Sequence, residues 1–411
     1  MATIVTVPGT NGSTISLSYD SKTNAALAQR IADSIKQGVD NNTIFQADNK
    51  DGPPPPVPAG KTGEYIQSLS ASTTLPPSYK DVVNDAKTGA IFGSGDPGEG
   101  VLSGAKDNLI FTATGGSGTV AAGGGNNYIS IPATDVGAWL IATGNGNDTI
   151  LALGPGNDTI SPGGGSNQIQ LGAGNTFIDS GGADTILAST GSETVTASDA
   201  KASDLIFGNA GNVYLSFVGG GGATLIGGTG SDTVFGGAGP VLVFGGSKGN
   251  NYLQAGSGPA TLFGGGNNDQ LFAAGSSAQE LHAAGGNATL FGGFSSGSDT
   301  FFGGSGTDQI VGNGVDNTFV AGTGAATVSG LIVSASNLFQ FINGAAGGTE
   351  LVENLTNASQ VHIDLEGYGK NEVKNALAGQ MTNGSSVTIT LSDHTQVTFE
   401  NITHLTDKNF V

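Results

Sequence analysis

Between residues 144 and 329 an apolar residue returns at short, nearly fixed intervals. The series is Ile150, Ile160, Ile169, Ile178, Ile186, Val195, Ile206, Leu215, Ile226, Val234, Val243, Leu253, Leu262, Leu271, Leu281, Leu290, Phe301, Ile310, Phe319 and Val328. Most steps are nine residues, with a few of eight, ten or eleven, and all twenty positions are aliphatic or Phe. Weaker members precede them at Ile129 and Leu140. Glycine recurs in the intervals between them. A helix is excluded, because each interior glycine costs about 1 kcal/mol. The period predicts a very short strand, then a turn in which glycine supplies the φ > 0 that other residues resist. One such repeat cannot bury its own apolar face, so neighbours must stack. At two repeats per coil the series predicts roughly ten coils, and at ~4.8 Å between strands a solenoid about 45–50 Å long.

The flanks follow other patterns. "TIVTV" and "STISLSY" predict strands, the second with Ile15, Leu17 and Tyr19 alternating. Residues 23–37 predict a helix on the spacing of Leu27, Ile31 and Ile35, with Gly38 to end it. Residues 1–40 thus read as a small α+β unit. Residues 41–90 read as a Pro-rich linker, because "DGPPPPVP" at 51–58 must run extended. Residues 91–330 form the glycine-rich solenoid. Residues 331–411 form a β-rich C-terminal cap: "VHIDL" predicts a strand, "NEVKNALAGQ" a short helix, and "SVTITL" and "QVTFEN" a hairpin around "SDHT". The fold class expected is therefore mainly β, a parallel β-roll or β-helix with two small flanking units.

Composition sharpens this picture. Glycine numbers 72 of 411 residues, charged residues make up only 11 %, and the net charge is −20. An acidic chain of this kind has no basic face for nucleic acid. Clustered carboxylates instead suit divalent cations. There is no cysteine, which removes disulfides, thiol catalysis and Cys-based zinc sites. The N-terminus lacks a basic region followed by an apolar core, and no apolar run approaches the ~18 residues of a membrane span.

The candidate chemistry lies two residues before each apolar position. That slot holds Asp148, Asp158, Asp184, Asp204, Asp232, Asp269, Asp299 and Asp308, with Glu193 as a further acid. Elsewhere it holds Asn, Thr, Gln, Val or Ala, as in "GGAGPVLVF" directly after "GGTGSDTVF". The core position is always kept, whereas the acid is lost about half the time. Residues 144–329 contain 11 Asp, 2 Glu and 2 Lys, a net charge of −11 that opposes stacking unless it is neutralised. Two readings of the slot stay open. Asp supplies a hard oxygen to calcium together with turn carbonyls, or it caps the turn by accepting from backbone N–H groups. Two repeats per coil place Asp148, Asp184, Asp204 and Asp299 on one side and Asp158, Asp232, Asp269 and Asp308 on the other. Only Asp184 and Asp204 are then immediate stacked neighbours, and fewer calcium ions than turns are expected.

"GGTGSD" at 227–232, "GGSGTD" at 303–308, "GNGND" at 144–148 and "GPGND" at 154–158 resemble the nonapeptide repeats of the RTX (repeats-in-toxin) proteins. The resemblance covers about half the chain. It implies a β-roll that folds on extracellular Ca2+ after type I export from a Gram-negative bacterium, with the C-terminal "HLTDKNFV" as a candidate secretion signal.

Catalytic motifs are sparse. H-E-x-x-H is absent, and His282, His362, His394 and His404 are far apart. G-x-S-x-G occurs at 245–249 and 293–297, but both fall in repeat turns rather than between a strand and a helix. Trp139 reads as packed in the first coils. Three functions follow in order of expectation. The first is a non-enzymatic, self-associating surface protein such as an S-layer, filament or biofilm-matrix subunit. The second is an adhesin that binds a surface polysaccharide, which would need an aromatic cluster on one face that the sequence does not display. The third is an RTX-type hydrolase.

Overall fold

The computed structural model describes residues 2–105, 107–198, 201–313, 315–331 and 335–411, in two compact units, Met1–Gly211 and Asn212–Val411. The protein is mainly β, about 44 % strand and 9 % helix, and its units together carry about 15 turns of parallel β-solenoid.

The first unit opens with an antiparallel hairpin of β1 (Thr3–Pro8) and β2 (Thr14–Tyr19), followed by α1 (Lys22–Asp40). Ser21 caps α1 by accepting from the Asn24 N–H at 3.4 Å. The helix runs through Gly38 to Asp40 and is capped by Asn41, after which Asn42 takes the left-handed turn at φ 58°. Gly38 serves packing instead: a Cβ there would strike the Ile44 side chain.

Parallel stacking begins at once with β3 (Ile44–Asp48) and β4 (Thr62–Gln67), which pair in register. The sheet continues through Tyr79–Asn84, Pro97–Ser103, Ser117–Ala122, Trp139–Ala142, Thr159–Gly163, Thr176–Ser180 and Glu193–Ala197. A second sheet stacks Thr73–Thr74, Ala90–Phe92, Ile110–Thr112, Tyr128–Ile131, Thr149–Ala152, Gln168–Leu171, Thr185–Leu187 and Ser203–Phe207. Tyr65, Val82, Val101, Val120, Ile141 and Ile160 line the core from the first sheet, and Ile91, Phe111, Ile129, Ile150 and Ile169 from the second.

Residues 41–90 are therefore coils of the solenoid, not a linker. The signal was hidden because β4 is buried on both faces, by the core and by α1, so its sequence does not alternate. The prolines run across the first coil, where Tyr79 donates its hydroxyl to the Pro55 carbonyl at 2.8 Å. A segment without N–H donors offers no template to a further strand.

Residues 1–40 are likewise no free unit. Val5, Val7, Leu17, Tyr19, Leu27, Ala28 and Ile35 form one buried cluster with Ile66, Val83, Leu102, Ala121 and Ala142 on the outer face of the first sheet. The Tyr19 hydroxyl donates to the Ala121 carbonyl at 3.2 Å, and Asn24 Nδ2 donates to the Ala122 carbonyl. We expect Ile35→Ala to cost about 2–5 kcal/mol, read as a lower urea midpoint. An unchanged midpoint would mean that α1 docking adds nothing to stability.

The second unit repeats the two-sheet plan. One sheet stacks Val213–Phe217, Thr233–Phe235, Tyr252–Gln254, Asp269–Gly275, Ala288–Ser295, Thr307–Val311, Ala325–Ser329 and Thr349–Val352. The other stacks Gly222–Ile226, Val241–Phe244, Ala260–Phe263, Gln279–His282, Thr300–Phe302, Thr318–Val320, Asn337–Ile342 and Val361–Glu366. The last coil is closed by Gln396–Phe399, which pairs parallel to Thr349–Val352 and antiparallel to Ser386–Thr390, with α2 (Glu372–Ala378) beside it. This is the hairpin expected around "SDHT", and His394 makes its turn at φ 77°.

Every position of the apolar series is buried except Ile226, which is 39 % exposed while its neighbour Leu225 is fully buried. Among the weaker members, Leu140 gives way in the same manner to Ile141. Adjacent strand residues face opposite sides, so a turn one residue shorter exchanges them. The same shift puts Trp139 in the slot before Ile141. It is buried there, above Gly118, with Nε1 donating to Asp135 Oδ2 at 3.0 Å. Trp139 is thus closed to sugar stacking.

Candidate metal centre

The slot residue stands where a glycine turn enters a strand. In the first unit, Asp148, Asp184 and Asp204 enter strands of the second sheet, and Asp158 enters the first. In the second unit, Asp232, Asp269 and Asp308 enter the sheet that begins at Val213, and Asp299 enters the other. All eight are buried.

Each carboxylate accepts from the slot N–H one coil earlier. Asp148 accepts from Asn127 N at 2.7 Å, Asp158 from Trp139 N at 2.8 Å, Asp184 from Asn167 N at 3.2 Å, and Asp204 from Asp184 N at 2.9 Å. Asp232 accepts from Val213 N at 3.0 Å, Asp269 from Asn251 N at 2.9 Å, Asp299 from Gln279 N at 3.1 Å, and Asp308 from Ala288 N at 2.9 Å. Asparagine does the same: Asn167 accepts from Asp148 N at 2.9 Å and Asn251 from Asp232 N at 2.8 Å. The result is a ladder of side-chain oxygens that satisfies backbone donors along each turn column.

The ladder explains what "GGAGPVLVF" has given up. Val241 fills apolar space and accepts nothing, yet the Ala223 N–H beneath it reaches the Pro240 carbonyl at 3.1 Å. Val241 in turn donates to the Pro259 carbonyl at 3.0 Å. Proline immediately before the slot supplies a carbonyl in place of the missing carboxylate.

Glycine is kept for a different reason. A Cβ at Gly137, Gly156, Gly174, Gly191 or Gly211 would overlap the carbonyl oxygen of Gly116, Gly137, Gly156, Gly174 or Gly191, respectively. The turns stack backbone on backbone.

The ladder uses one oxygen of each carboxylate, and the fate of the other separates the sites. At Asp269 it accepts from Gly266 N at 2.9 Å, at Asp308 from Gly304 N at 2.7 Å, at Asp184 from Ser180 Oγ at 2.7 Å, and at Asp299 from Asn313 Nδ2 at 3.1 Å. At Asp148, Asp158 and Asp232 the Oδ2 atom is buried without a hydrogen-bond partner. Burial pushes these three carboxyls up to about 6 from 3.8, and the neighbouring Asp184, Asp135 and Asp269, respectively, add to the rise. An orphaned carboxylate oxygen beside stacked glycine turns fits a hard cation. Among the described residues no three acidic or histidine side chains gather around one point. Carbonyl, amide or water oxygens would therefore complete each shell around Asp148, Asp158 or Asp232.

Two features escaped the sequence reading. Asp20, from the end of β2, accepts from the Asn145 N–H at 2.7 Å and so inserts an acid into the turn ahead of Asp148. The second unit also carries aromatic columns on its outer faces, contrary to the expectation of none. Phe244, Phe263, His282 and Phe302 stack at centroid spacings of 4.8, 4.2 and 4.0 Å. Tyr214, Phe235, Tyr252 and Phe272 follow at 5.8, 5.6 and 4.8 Å. The first set could have been found, since each member directly follows an inward apolar residue.

A family profile described as "RTX calcium-binding nonapeptide repeat (4 copies)" matches residues 142–178, 217–239, 245–277, 282–319 and 295–328. The chain thus carries RTX calcium-binding nonapeptide repeats within a parallel β-solenoid, consistent with an RTX repeat protein. Three of its strongest matches to that repeat contain Asp148, Asp158 and Asp232. No curated protein matches the chain. Among solved structures it is similar to the extracellular lipase LipA from Serratia marcescens, at 17 % identity and a TM-score of 0.23. That match covers 58 % of this chain and 40 % of the lipase chain. Among the described residues no helix is long and apolar enough to cross a membrane.

Proposed function

We propose that this is a secreted, calcium-stabilised structural protein that associates side by side with copies of itself at the surface of a Gram-negative bacterium, as an S-layer, filament or biofilm-matrix subunit. Calcium-binding repeats support the calcium and export parts of this reading, since RTX repeat proteins are typically secreted. The observation that carries self-association is the outer aromatic column Phe244, Phe263, His282 and Phe302. Phe244 is 40 % exposed, and Glu280 lies beside the stack, 3.8 Å from His282. A neutral apolar strip on a chain of charge −20 escapes the mutual repulsion of the remaining surface. On this reading contact is made through this outer face of the second unit.

On this reading the chain is not an enzyme. With calcium, the wild-type chain forms ordered particles by electron microscopy and light scattering, whereas Phe263→Ser/Phe302→Ser stays monomeric with unchanged circular dichroism. A wild-type chain that remains monomeric in calcium at every concentration would overturn the proposal.

The second column favours an alternative, an adhesin or glycan-binding module. Tyr252 donates its hydroxyl to Gln254 at 3.2 Å, so rings and hydrogen-bonding groups lie together as a pyranose ligand requires. Retention of a monomeric chain on surface polysaccharide, lost in Tyr252→Ser, would support that reading instead.

A further inference from the structure

Beneath α1 lies a polar row that the repeats do not explain. Gln46, Glu64, Asp81 and Gly100 are register partners on successive strands of the first sheet. They face outward, opposite the core residues Tyr65, Val82 and Val101. The next row on the same face, Ile66, Val83 and Leu102, belongs to the apolar cluster under α1. Like charges directly opposite each other on paired strands destabilise a sheet. Here two carboxylates are paired in that manner and covered by a helix.

Glu64 is fully buried. Its Oε2 accepts from Gln46 Nε2 at 2.6 Å, and Gln46 Nε2 also donates to the Pro8 carbonyl at 3.3 Å. Its Oε1 is buried without a hydrogen-bond partner. Asp81 leans over Gly100, where a Cβ would sit 3.1 Å from Asp81 Oδ1 and 2.9 Å from Ile31 Cγ2. Asp81 also lines a polar cavity of about 330 Å3 with Ser34 and Gln37 of α1, Thr62, Gly98 and Lys80. Lys80 lines the same cavity as Asp81, and among the described residues no ion pair joins it to either acid.

We propose that Glu64 and Asp81 bind one calcium ion between α1 and the first sheet, at a site distinct from the repeat turns. Parallel strands stand ~4.8 Å apart, about twice the ~2.4 Å calcium–oxygen distance, so one carboxylate from each strand reaches a shared ion. The cavity opens on the Asp81 side of the pair and not onto Glu64, so it brings water and the Ser34 and Gln37 oxygens to the Asp81 carboxylate only. The ion removes the repulsion between the acids and gives Glu64 Oε1 a partner. It also ties α1 to the first coils by a route independent of the repeats. Burial raises both carboxyls, Glu64 to about 8 and Asp81 to about 7; at Glu64 the Gln46 amide opposes the rise and the Asp81 charge adds to it, and at Asp81 the Lys80 charge opposes it. A proton is therefore the competing occupant.

The test uses the full chain and calcium alone. Equilibrium dialysis should find one calcium fewer per chain in Glu64→Gln/Asp81→Asn than in wild type. Hydrogen exchange over residues 22–40 of the wild type should slow about tenfold at calcium ten times its Kd, and the variant should not respond. The same slowing should persist in Asp148→Asn/Asp158→Asn/Asp232→Asn, which disables the repeat sites. That arm keeps the result readable if the first variant fails to fold, and it separates this site from the repeats. Unchanged stoichiometry in the first variant, or exchange over 22–40 that follows pH and ignores calcium, would overturn the site in favour of a shared proton.

Discussion

In chelator the protein should be more stable at pH 5 than at pH 7.5, and calcium should reverse that order. Asp148, Asp158, Asp232 and Asp299 all have carboxyls raised to about 6 by burial, from an ordinary value of 3.8. A raised carboxyl means that the folded state holds more protons than the unfolded chain. The associated stability is full below about pH 4 and is lost as pH rises through about 6. Above that, the turns must hold buried, unneutralised charge, and at Asp148, Asp158 and Asp232 one carboxylate oxygen has no donor. Calcium removes the penalty by taking the place of the protons, and it competes best where protons bind least. Thermal melts at both pH values, with calcium or chelator, read the effect. Melting temperatures that rise with pH in chelator would mean that these carboxylates are not buried in the apo fold. Asp232→Asn should flatten the chelator profile, because Asn preserves the ladder acceptor and brings no charge.

Gly174→Ala should be among the most damaging single substitutions in the chain. Its Cβ would fall on the Gly156 carbonyl oxygen, with the Gly156 carbonyl carbon 2.6 Å away and the Pro155 oxygen at 2.9 Å. All three atoms are backbone of the coil below, so no side chain can swing aside. Gly191 rests on Gly174 in turn, so forcing one pair of turns apart disturbs the next. A cost of about 4 kcal/mol or more is expected, against near-neutrality for Gly285→Ala, a repeat-turn glycine with open space around it. Urea unfolding of the two variants decides the matter. Equal midpoints would show that the turns breathe enough to admit a methyl group.

The apolar column was legible because solenoid cores demand one inward residue per strand, and that position returns at a nearly fixed step between glycine-rich turns. The division of the slot acids between two turn columns followed from counting two repeats per coil. The first five strands after α1 were not legible. Thr62–Gln67 is buried on both faces and so does not alternate, Thr73–Thr74 and Ala90–Phe92 are too short to show a period, and the coils between Ile44 and Phe92 carry few of the glycine turns that mark the later ones. Leu140 and Ile226 misled because each has an aliphatic neighbour, Ile141 and Leu225, and only the turn length says which one enters the core. The distinction between Asp232, with a bare oxygen, and Asp308, satisfied by its own Gly304, was beyond reach. "GGTGSD" and "GGSGTD" are nearly the same string, and the difference lies in how the turn backbone points its amides.

The equivalence of Asn and Asp in the ladder has a consequence for inheritance. Their codons differ by a single base, and either side chain holds the same neighbouring amide. A lineage can therefore add or subtract negative charge along a turn column one position at a time, with no change of backbone. The ion requirement of such a protein is free to drift toward the salinity of its habitat while the scaffold stays the same.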